Sequence, residues 1–387
     1  MLINKKTYNP CVAASIYEAS YAKGSRRYKA SIQTIMYHVA FLFTWGEIFA
    51  VDIERMLISG EGVDFRTIKK FADWLGHVIA PPRDGAILNQ YVTKVLTSCS
   101  SFSLWFVRNY TPLVSADAES NVSYIALIDS HRACWSGVMV GETKNSVAPD
   151  LTDAELDSVE QFLKRQLYDL NNNYAVCLRN YILWRLINGF GLRIGEALAL
   201  RLQDLKFTGA DPSLEVVRID ERGVDYEDPR TPNSPKVKTF GRLLYFAPED
   251  EGLIDLIEEY ISSCRFKKSE HGVSPSFFLD HDFLFVAHGA GTQGSALSSS
   301  AASKVAQKIG RLCLGGFHWH ILRHAYFNRR YEAASLTPNN STEIDHIVYI
   351  GGWSSPLSLK HYARRAIRDM SRGSLIDRNA GAIKNDY

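Results

Sequence analysis

The chain has 387 residues, of which 46% are hydrophobic and 22% charged. This balance excludes a collagen-like, low-complexity or wholly disordered chain, and the length predicts two domains. The formal net charge of +2 gives no overall attraction to nucleic acid, so any basic surface must be local.

Cysteine usage and hydropathy favour a cytoplasmic protein. The six cysteines form no Cys-x-x-Cys pair, so neither a disulfide framework nor a zinc ribbon is predicted. The most apolar stretch, Ile35 to Val51, carries His38 and Glu47 and falls short of a membrane span, which is typical of a buried core helix. The first residues lack the pattern of a secretion signal. We expect no membrane partner.

Helical spacing of apolar residues dominates the first part of the chain. Three runs predict helices, at Tyr28 to Met56, Phe65 to Val78 and Ile87 to Tyr110. Polar, turn-rich sequence follows as far as Asp150, with only short apolar pieces. The sequence therefore predicts an all-helical first domain.

A capping box marks the start of the second domain. Thr152 and Glu155 have the Thr-x-x-Glu spacing ahead of an apolar run, which indicates a new helix. We place the boundary there, giving domains 1–147 and 148–387. Further helices are predicted at Tyr174 to Ile187, from Arg193, near 251–263, 299–313, 320–334 and 342–350, and from Ser355-Pro356. Strands are predicted at Leu214 to Ile219 and Arg242 to Phe246.

The fold class predicted from these elements is mainly α with a small antiparallel sheet. Within it, three separated clusters carry unusual polar residues. In the first, Arg193 follows a glycine turn at the start of a helix, with Glu196 one turn later. A guanidinium there would add to the anion-binding capacity of a helix N-terminus. An ordinary ion pair on a solvated face explains the spacing equally well.

The second cluster is the segment from His320 to His324. On a helix, His320, Arg323, His324 and Phe327 share one stripe, which can face a single phosphate. Two alternatives remain open. The histidines can be ordinary helix residues, or they can form a metal site together with Cys313 and His318, although an arginine between ligands would repel the ion.

The third cluster runs from Gly351 to Tyr362. Taken singly, Tyr362 and Trp353 are typical of core packing. The order of the three clusters, however, resembles the tyrosine recombinase (phage integrase) family: Arg193, then His320-x-x-Arg323-His324, then Trp353 and Tyr362. The segment from Val237 to Phe246 is similar to the family's β-hairpin lysine segment, in which Lys238, or else Lys236, matches the catalytic lysine. The resemblance covers roughly residues 150 to 370.

The resemblance implies a two-domain DNA clamp, in which a helical core-binding domain and a catalytic domain enclose a duplex. It implies strand cleavage and rejoining through a 3′-phosphotyrosyl bond to Tyr362, without metal or other cofactor. Integration, excision, resolution of dimers and movement of a mobile element are all compatible with it. Arg193, Lys238, His320, Arg323 and Trp353 would be the other catalytic residues, and Glu196 and His324 would support them. A tryptophan can donate one hydrogen bond but cannot carry a proton, so Trp353 would be structural or a phosphate contact.

The family likeness also implies partners and a location. It implies a homotetramer on two DNA sites, a monomer or weak oligomer without DNA, and a nucleoid-associated protein. Local basic clusters are the candidates for duplex contact: Arg26, Arg27, Lys29, Lys69, Lys70, Arg329, Arg330, Arg364 and Arg365. A type IB topoisomerase, or a DNA-binding protein of the same fold without activity, remains an alternative.

Overall fold

The computed structural model describes residues 2–22, 29–79, 85–110, 118–139, 150–223, 226–231, 233–268, 275–337 and 340–372. The chain divides into two compact units, Met1–Ser146 and Val147–Tyr387. The predicted boundary between residues 147 and 148 lies outside the described residues. In the described part, no helix is long and apolar enough to cross a membrane.

The first unit is built from helices around an aromatic core. Its helices are α1 (Val12–Ala22), α2 (Lys29–Phe49), α3 (Ile53–Ile58), α4 (Phe65–Ile79), α5 (Gly85–Tyr110) and α6 (Ala118–Ser136). The long helix α5 packs against α2, α3, α4 and α6. Trp45, Phe71 and Phe102 are among the fully buried side chains between them. The prediction of an all-helical first domain is confirmed for the described residues.

Two features of this unit differ from prediction. The predicted run from Tyr28 to Met56 is two helices, because Ala50 adopts a φ of 54° and Asp52 then caps α3 by accepting the backbone N–H of Arg55 at 3.0 Å. Helix α6 was not predicted. The deeply buried residues on its described part are His131 and Trp135, which hydrogen-bond to each other at 3.2 Å. So few buried apolar positions leave little helical periodicity in the sequence.

The second unit contains the remaining helices and a small sheet. Its described helices are α7 (Asp153–Tyr168), α8 (Tyr174–Phe190), α9 (Ile194–Ala199), α10 (Glu251–Glu259), α11 (Ser299–Ile309), α12 (Trp319–Ser335), α13 (Asn340–Gly351), α14 (Pro356–Tyr362) and a helical segment at 364–372. Single π-helical turns, Tyr260–Cys264 and Gly310–Leu314, extend α10 and α11. Helix α8 is buried along most of its length, in contact with α7, α10 and α12. Every helix predicted beyond residue 150 is confirmed.

The sheet has three antiparallel strands, β1 (Leu205–Lys206), β2 (Ser213–Val216) and β3 (Arg242–Tyr245), with β2 in the centre. A separate two-stranded ladder joins β4 (Lys267–Lys268) and β5 (Pro275–Ser276). The predicted fold class, mainly α with a small antiparallel sheet, is confirmed. Alternation along β3 turns Arg242 and Leu244 inward and leaves Tyr245 exposed.

The predicted lysine hairpin is not formed. β2 ends at Val216, three residues before the predicted end, and residues 217–241 separate it from its partner β3. Lys236 and Lys238 lie in this connection, in a segment without strand structure. Val216 pairs with Arg242, so these two strands are joined by a long connection. A tight hairpin would join them by a turn of two to five residues.

The capping box at the start of α7 can be tested directly. Thr152 Oγ1 accepts the backbone N–H of Glu155 at 3.3 Å, and Glu155 Oε2 accepts the backbone N–H of Thr152 at 2.8 Å. Thr152→Ala should destabilise the unit by about 1 kcal/mol and lower its Tm by about 2–4 °C. Calorimetry measures the shift, with Thr152→Ser as the control that keeps the acceptor. An alanine variant that melts with the parent would contradict this role.

Candidate active site

A buried carboxylate lies at the centre of the second unit's polar cluster. Glu196, in the first turn of α9, is 1% exposed. Its Oε2 accepts the backbone N–H of Arg193 at 3.0 Å, and its Oε1 accepts Nη1 of the same arginine at 3.3 Å. Glu196 therefore holds both the backbone and the guanidinium of Arg193.

The segment leading into β3 donates to the same carboxylate. Arg242 Nη2 donates to Glu196 Oε2 at 2.8 Å, and Thr239 Oγ1 donates to Oε1 in a short hydrogen bond. Arg323 Nη1 lies 3.9 Å from Oε2. Burial alone would raise the pKa of Glu196, but the charges of Arg242 and Arg323 and these hydrogen bonds lower it to about 2. The carboxylate is ionised at neutral pH.

Arg323 is fully buried, with 0% exposure. It donates to the carbonyl oxygens of Gly191 at 2.5 Å and Gly351 at 2.8 Å, which joins the end of α8 to the end of α13. Its Cζ lies 5.0 Å from the ring centre of Trp353 and 5.2 Å from that of Tyr362. In the predicted stripe on α12, Arg323, His324 and Phe327 are thus buried and His320 is exposed. Arg323 does not face solvent where a phosphate would arrive.

Tyr362 ends helix α14 with its ring inside the cluster, 8% exposed. Its ring centre lies 4.7 Å from that of His324, 5.0 Å from that of Trp353 and 5.5 Å from that of His320. Arg193 Nη2 donates to Tyr362 Oη at 3.2 Å. The three clusters that are far apart in sequence therefore meet at one phenol.

Both histidines of this cluster are neutral at pH 7. Packing around the ring and the charges of Arg323 and Arg193 lower the pKa of His320 to about 4, although part of the residue is exposed. Burial, with His320 next to it, lowers the pKa of His324 to about 3. A neutral imidazole can accept a proton, and His320 is the one of the two that solvent reaches.

Two glycines hold the lysine segment close to this cluster. A Cβ on Gly195 would lie 2.5 Å from the carbonyl oxygen of Lys236, so the close approach of the segment to α9 requires glycine. On the other side, Phe240 N donates to the carbonyl of Gly352 at 3.1 Å, where a φ of 62° turns the chain after α13. The segment is therefore held between the start of α9 and the end of α13.

The clamped segment borders a cavity of about 270 Å³. Lys238 lines this cavity and Lys236 does not. Other residues that line it include Arg193, Arg218, Trp353, Ser354 and Ser358. Trp353 Nε1 is buried and has no hydrogen-bond partner within the described ranges. Burial and the charge of Lys238 lower the pKa of Lys236. Of the two predicted lysines, Lys238 is the one placed beside Arg193.

The predicted DNA-contact residues that the structure describes differ in their exposure. Arg26 and Arg27 lie outside the described residues, as does the side chain of Lys29 at the start of α2. Lys69 and Lys70 are exposed on α4 of the first unit, and Arg330 is exposed on α12. The others are partly buried in the second unit: Arg329 donates to Asn188 at 2.9 Å, Arg365 pairs with Asp150 at 3.1 Å, and Arg364 lies beside it.

Sequence reasoning missed three residues of the site, Arg218, Thr239 and Arg242. A signal existed for Arg242, because a charged residue at the inward position of the pattern Arg-Leu-Leu-Tyr-Phe needs a buried partner. Nothing in the sequence marks Arg218 or Thr239. In the described part of the chain, no three His, Cys, Asp or Glu residues are grouped as a metal site would require.

Comparison with known proteins gives only a distant likeness. No protein-family model matches the chain. No curated protein matches it. Among solved structures, the XerH site-specific recombinase bound to palindromic difH substrate, a post-cleavage complex, covers 82% of this chain and 95% of its own at 13% identity, with a TM-score of 0.44.

Two further structures are similar at the same level. The pre-cleavage complex of XerH with difH substrate has 14% identity and a TM-score of 0.39, over 79% of this chain and 91% of that one. The XerA recombinase has 14% identity and a TM-score of 0.37, over 80% and 98%. Because both the sequence identity and the TM-scores are this low, the likeness does not establish the family of this chain.

Glu196→Gln should destabilise the second unit by about 3–5 kcal/mol, because it leaves buried guanidiniums without their counter-charge. Urea unfolding at pH 7 measures the loss. Glu155→Gln, which changes an exposed carboxylate of the same unit, is the matched control and should cost much less. Equal costs for the two variants would show that Glu196 is not the centre of the cluster.

The same carboxylate makes stability depend on pH. Because its pKa is lowered from 4.5 to about 2, its contribution is present above pH 4.5 and is lost as the pH falls towards 2, a change of about 3 kcal/mol. The parent protein should therefore lose more stability than Glu196→Gln between pH 5 and about pH 2.5. Parallel unfolding curves across this window would contradict the assignment.

Proposed function

We propose that this chain is a DNA strand-transfer enzyme of the tyrosine recombinase type, which cleaves and rejoins strands of double-stranded DNA at specific sites. The observation that carries the proposal is the position of Arg193. Its guanidinium donates to the oxygen of Tyr362 and also lines the cavity that Lys238 borders. A phosphate in this cavity would lie beside a nucleophile, a guanidinium and an ammonium.

The chemistry follows from these three groups. Tyr362 Oη attacks the phosphorus of a phosphodiester, forming a P–O bond to the phenol while the bond from phosphorus to the 5′ oxygen breaks. Arg193 stabilises the charge on the phosphate oxygens, and Lys238 gives a proton to the departing 5′ oxygen. The product is a 3′-phosphotyrosyl bond, from which a second 5′ hydroxyl recovers the diester in the reverse reaction.

The phenol must lose its own proton in this step. His320 is the acceptor in our proposal, because its ring is neutral, partly exposed and edge-on to the ring of Tyr362. His324 lies closer but is buried, with its Nδ1 hidden from solvent, and so acts as a support for the phenol ring. Trp353 would donate its indole N–H to the phosphate without transferring a proton.

Arg323 requires a movement before it can contact the phosphate. Its guanidinium lies beneath the ring of Tyr362, and turning this ring towards the cavity would uncover its face. Until then Arg323 positions the ends of α8 and α13 through two carbonyl oxygens. Glu196 acts with it, since it orients Arg193 from the other side.

The remaining assignments are part of the same proposal. Residues 1–147 would form a core-binding domain and 148–387 the catalytic domain of a clamp around the duplex, acting as a homotetramer on two DNA sites. Lys69 and Lys70 are the exposed cations that we assign to duplex contact in the first unit. Integration of a mobile element is the process in which we place the reaction. Relaxation of plasmid that lacks a specific site would instead indicate a type IB topoisomerase.

Tyr362→Phe should abolish covalent capture of DNA while leaving binding intact, because only the nucleophilic oxygen is removed. A nicked suicide substrate traps the adduct, which is read on a denaturing gel, and a mobility-shift assay measures binding. Tyr331→Phe is the matched control and should keep full capture, because Tyr331 is a partly buried tyrosine that packs against the same hydrophobic cluster as Tyr362. An adduct that persists in Tyr362→Phe would place the nucleophile elsewhere.

The rate of cleavage should depend on pH through His320. With the pKa lowered to about 4, the proton-accepting form persists above this pH, so single-turnover cleavage should stay level from pH 7 to 5 and fall towards pH 4. His320→Ala should slow cleavage by about 10²-fold or more and remove this acid limb. An acid limb near pH 6.5 in the parent would contradict the neutral-acceptor role.

A further inference from the structure

The geometry points to Arg218 as a second phosphate-binding arginine of the cavity, a residue that neither the family resemblance nor the sequence pattern marks. This inference rests on the proposed function, because it takes the ligand to be a phosphodiester of DNA. Arg218 lies two residues after the end of β2 and lines the cavity together with Arg193 and Lys238. The phosphate would therefore meet three cations, from three different segments of the chain.

The side chain of Arg218 is held in place by contacts that leave its terminal nitrogens free to donate. Its Cζ lies 5.3 Å from the ring centre of Phe240, which also lines the cavity, and its side chain is 18% exposed. Its Nε donates to Asp220 at 3.2 Å. Over the described ranges, its two terminal nitrogens have no hydrogen-bond partner. A guanidinium fixed through Nε presents these two nitrogens as a fork, which matches two phosphate oxygens.

The rest of the cavity lining suits an anion. Its described residues include Ser354, Ser358 and Trp353, and none of them is acidic. The acidic neighbours of Arg218 are Asp220 and Glu221, whose side chains are about half exposed and whose carboxylate oxygens lie 3.2 and 4.0 Å from its Nε. Exposed ion pairs of this kind are weak and are readily exchanged for a phosphate.

The role that this position gives Arg218 is binding rather than the chemical step. Arg193 contacts the phenol oxygen, whereas Arg218 lines the cavity without a hydrogen bond to that oxygen. A cation that contacts the phosphate equally before and during reaction strengthens ground-state binding and leaves the rate at saturation unchanged. Arg218 is therefore expected to affect the DNA concentration needed for cleavage and the dependence of binding on salt.

The test compares three purified full-length variants with the parent. Arg218→Gln removes the charge, Arg218→Lys keeps the charge without the fork, and Arg311→Gln removes a charge from an exposed arginine that does not line the cavity. Each is assayed for binding to duplex DNA between about 50 and 200 mM salt and for single-turnover adduct formation on a nicked substrate. Circular dichroism confirms that each variant is folded.

Arg218→Gln should weaken DNA binding about tenfold or more and reduce the salt slope by about one, with the saturated rate of adduct formation unchanged. Arg218→Lys should restore the salt slope and part of the affinity, and Arg311→Gln should change less than Arg218→Gln in both measures. A glutamine variant that behaves as Arg311→Gln, while the parent still forms an adduct, overturns the inference and leaves the proposed function standing. A parent protein that neither binds duplex DNA nor forms an adduct overturns both.

Discussion

The site depends on one buried carboxylate. Taking Glu196 out of water costs several kcal/mol, and this cost is offset only because Arg193, Arg242 and the hydroxyl of Thr239 donate to it directly. Arg193 directly precedes α9, Thr239 lies just before β3 and Arg242 begins that strand. Arg323 of α12 adds its charge from 3.9 Å. The carboxylate thus sets the distance between the elements that carry the arginines and the lysine.

This arrangement divides the cations of the site into two groups. Arg242 and Arg323 are buried and directed at a carboxylate and at backbone carbonyls, so their hydrogen-bonding capacity serves the fold. Arg193 and Lys238 line the cavity and keep donors for a ligand. The ring of Tyr362, together with those of Phe327 and Trp353, lies against the guanidinium of Arg323, and its hydroxyl oxygen accepts a hydrogen bond from Arg193. Tyr362 therefore contacts one cation of each group.

The sequence predicted the elements better than their connections. Apolar periodicity and the capping box at Thr152 identified α7, because this helix buries one continuous stripe of Leu156, Val159, Leu163 and Leu167. Helix α6 was not predicted, because His131 and Trp135 make its buried contacts in place of an apolar stripe. The site residues were found through their order along the chain. The burial of these side chains was not predicted, because it depends on which rings and carbonyl groups from other elements cover them. On α12, for example, Arg323 is buried and His320 is exposed.

A net charge of +2 need not oppose binding of a polyanion, because what the ligand meets is the local field. Several of the chain's arginines are neutralised internally, such as Arg222 by Asp204 at 2.5 Å and Arg230 by Asp228 at 2.8 Å. Each of these pairs fastens part of the connection from 217 to 241, which in turn carries Lys238 to the cavity. The acidic residues that cancel the overall charge thus help to hold the lysine in position. Counting charges along the sequence treats these carboxylates as repelling an anion, whereas in the fold they stabilise the segment that carries Lys238 to the cavity.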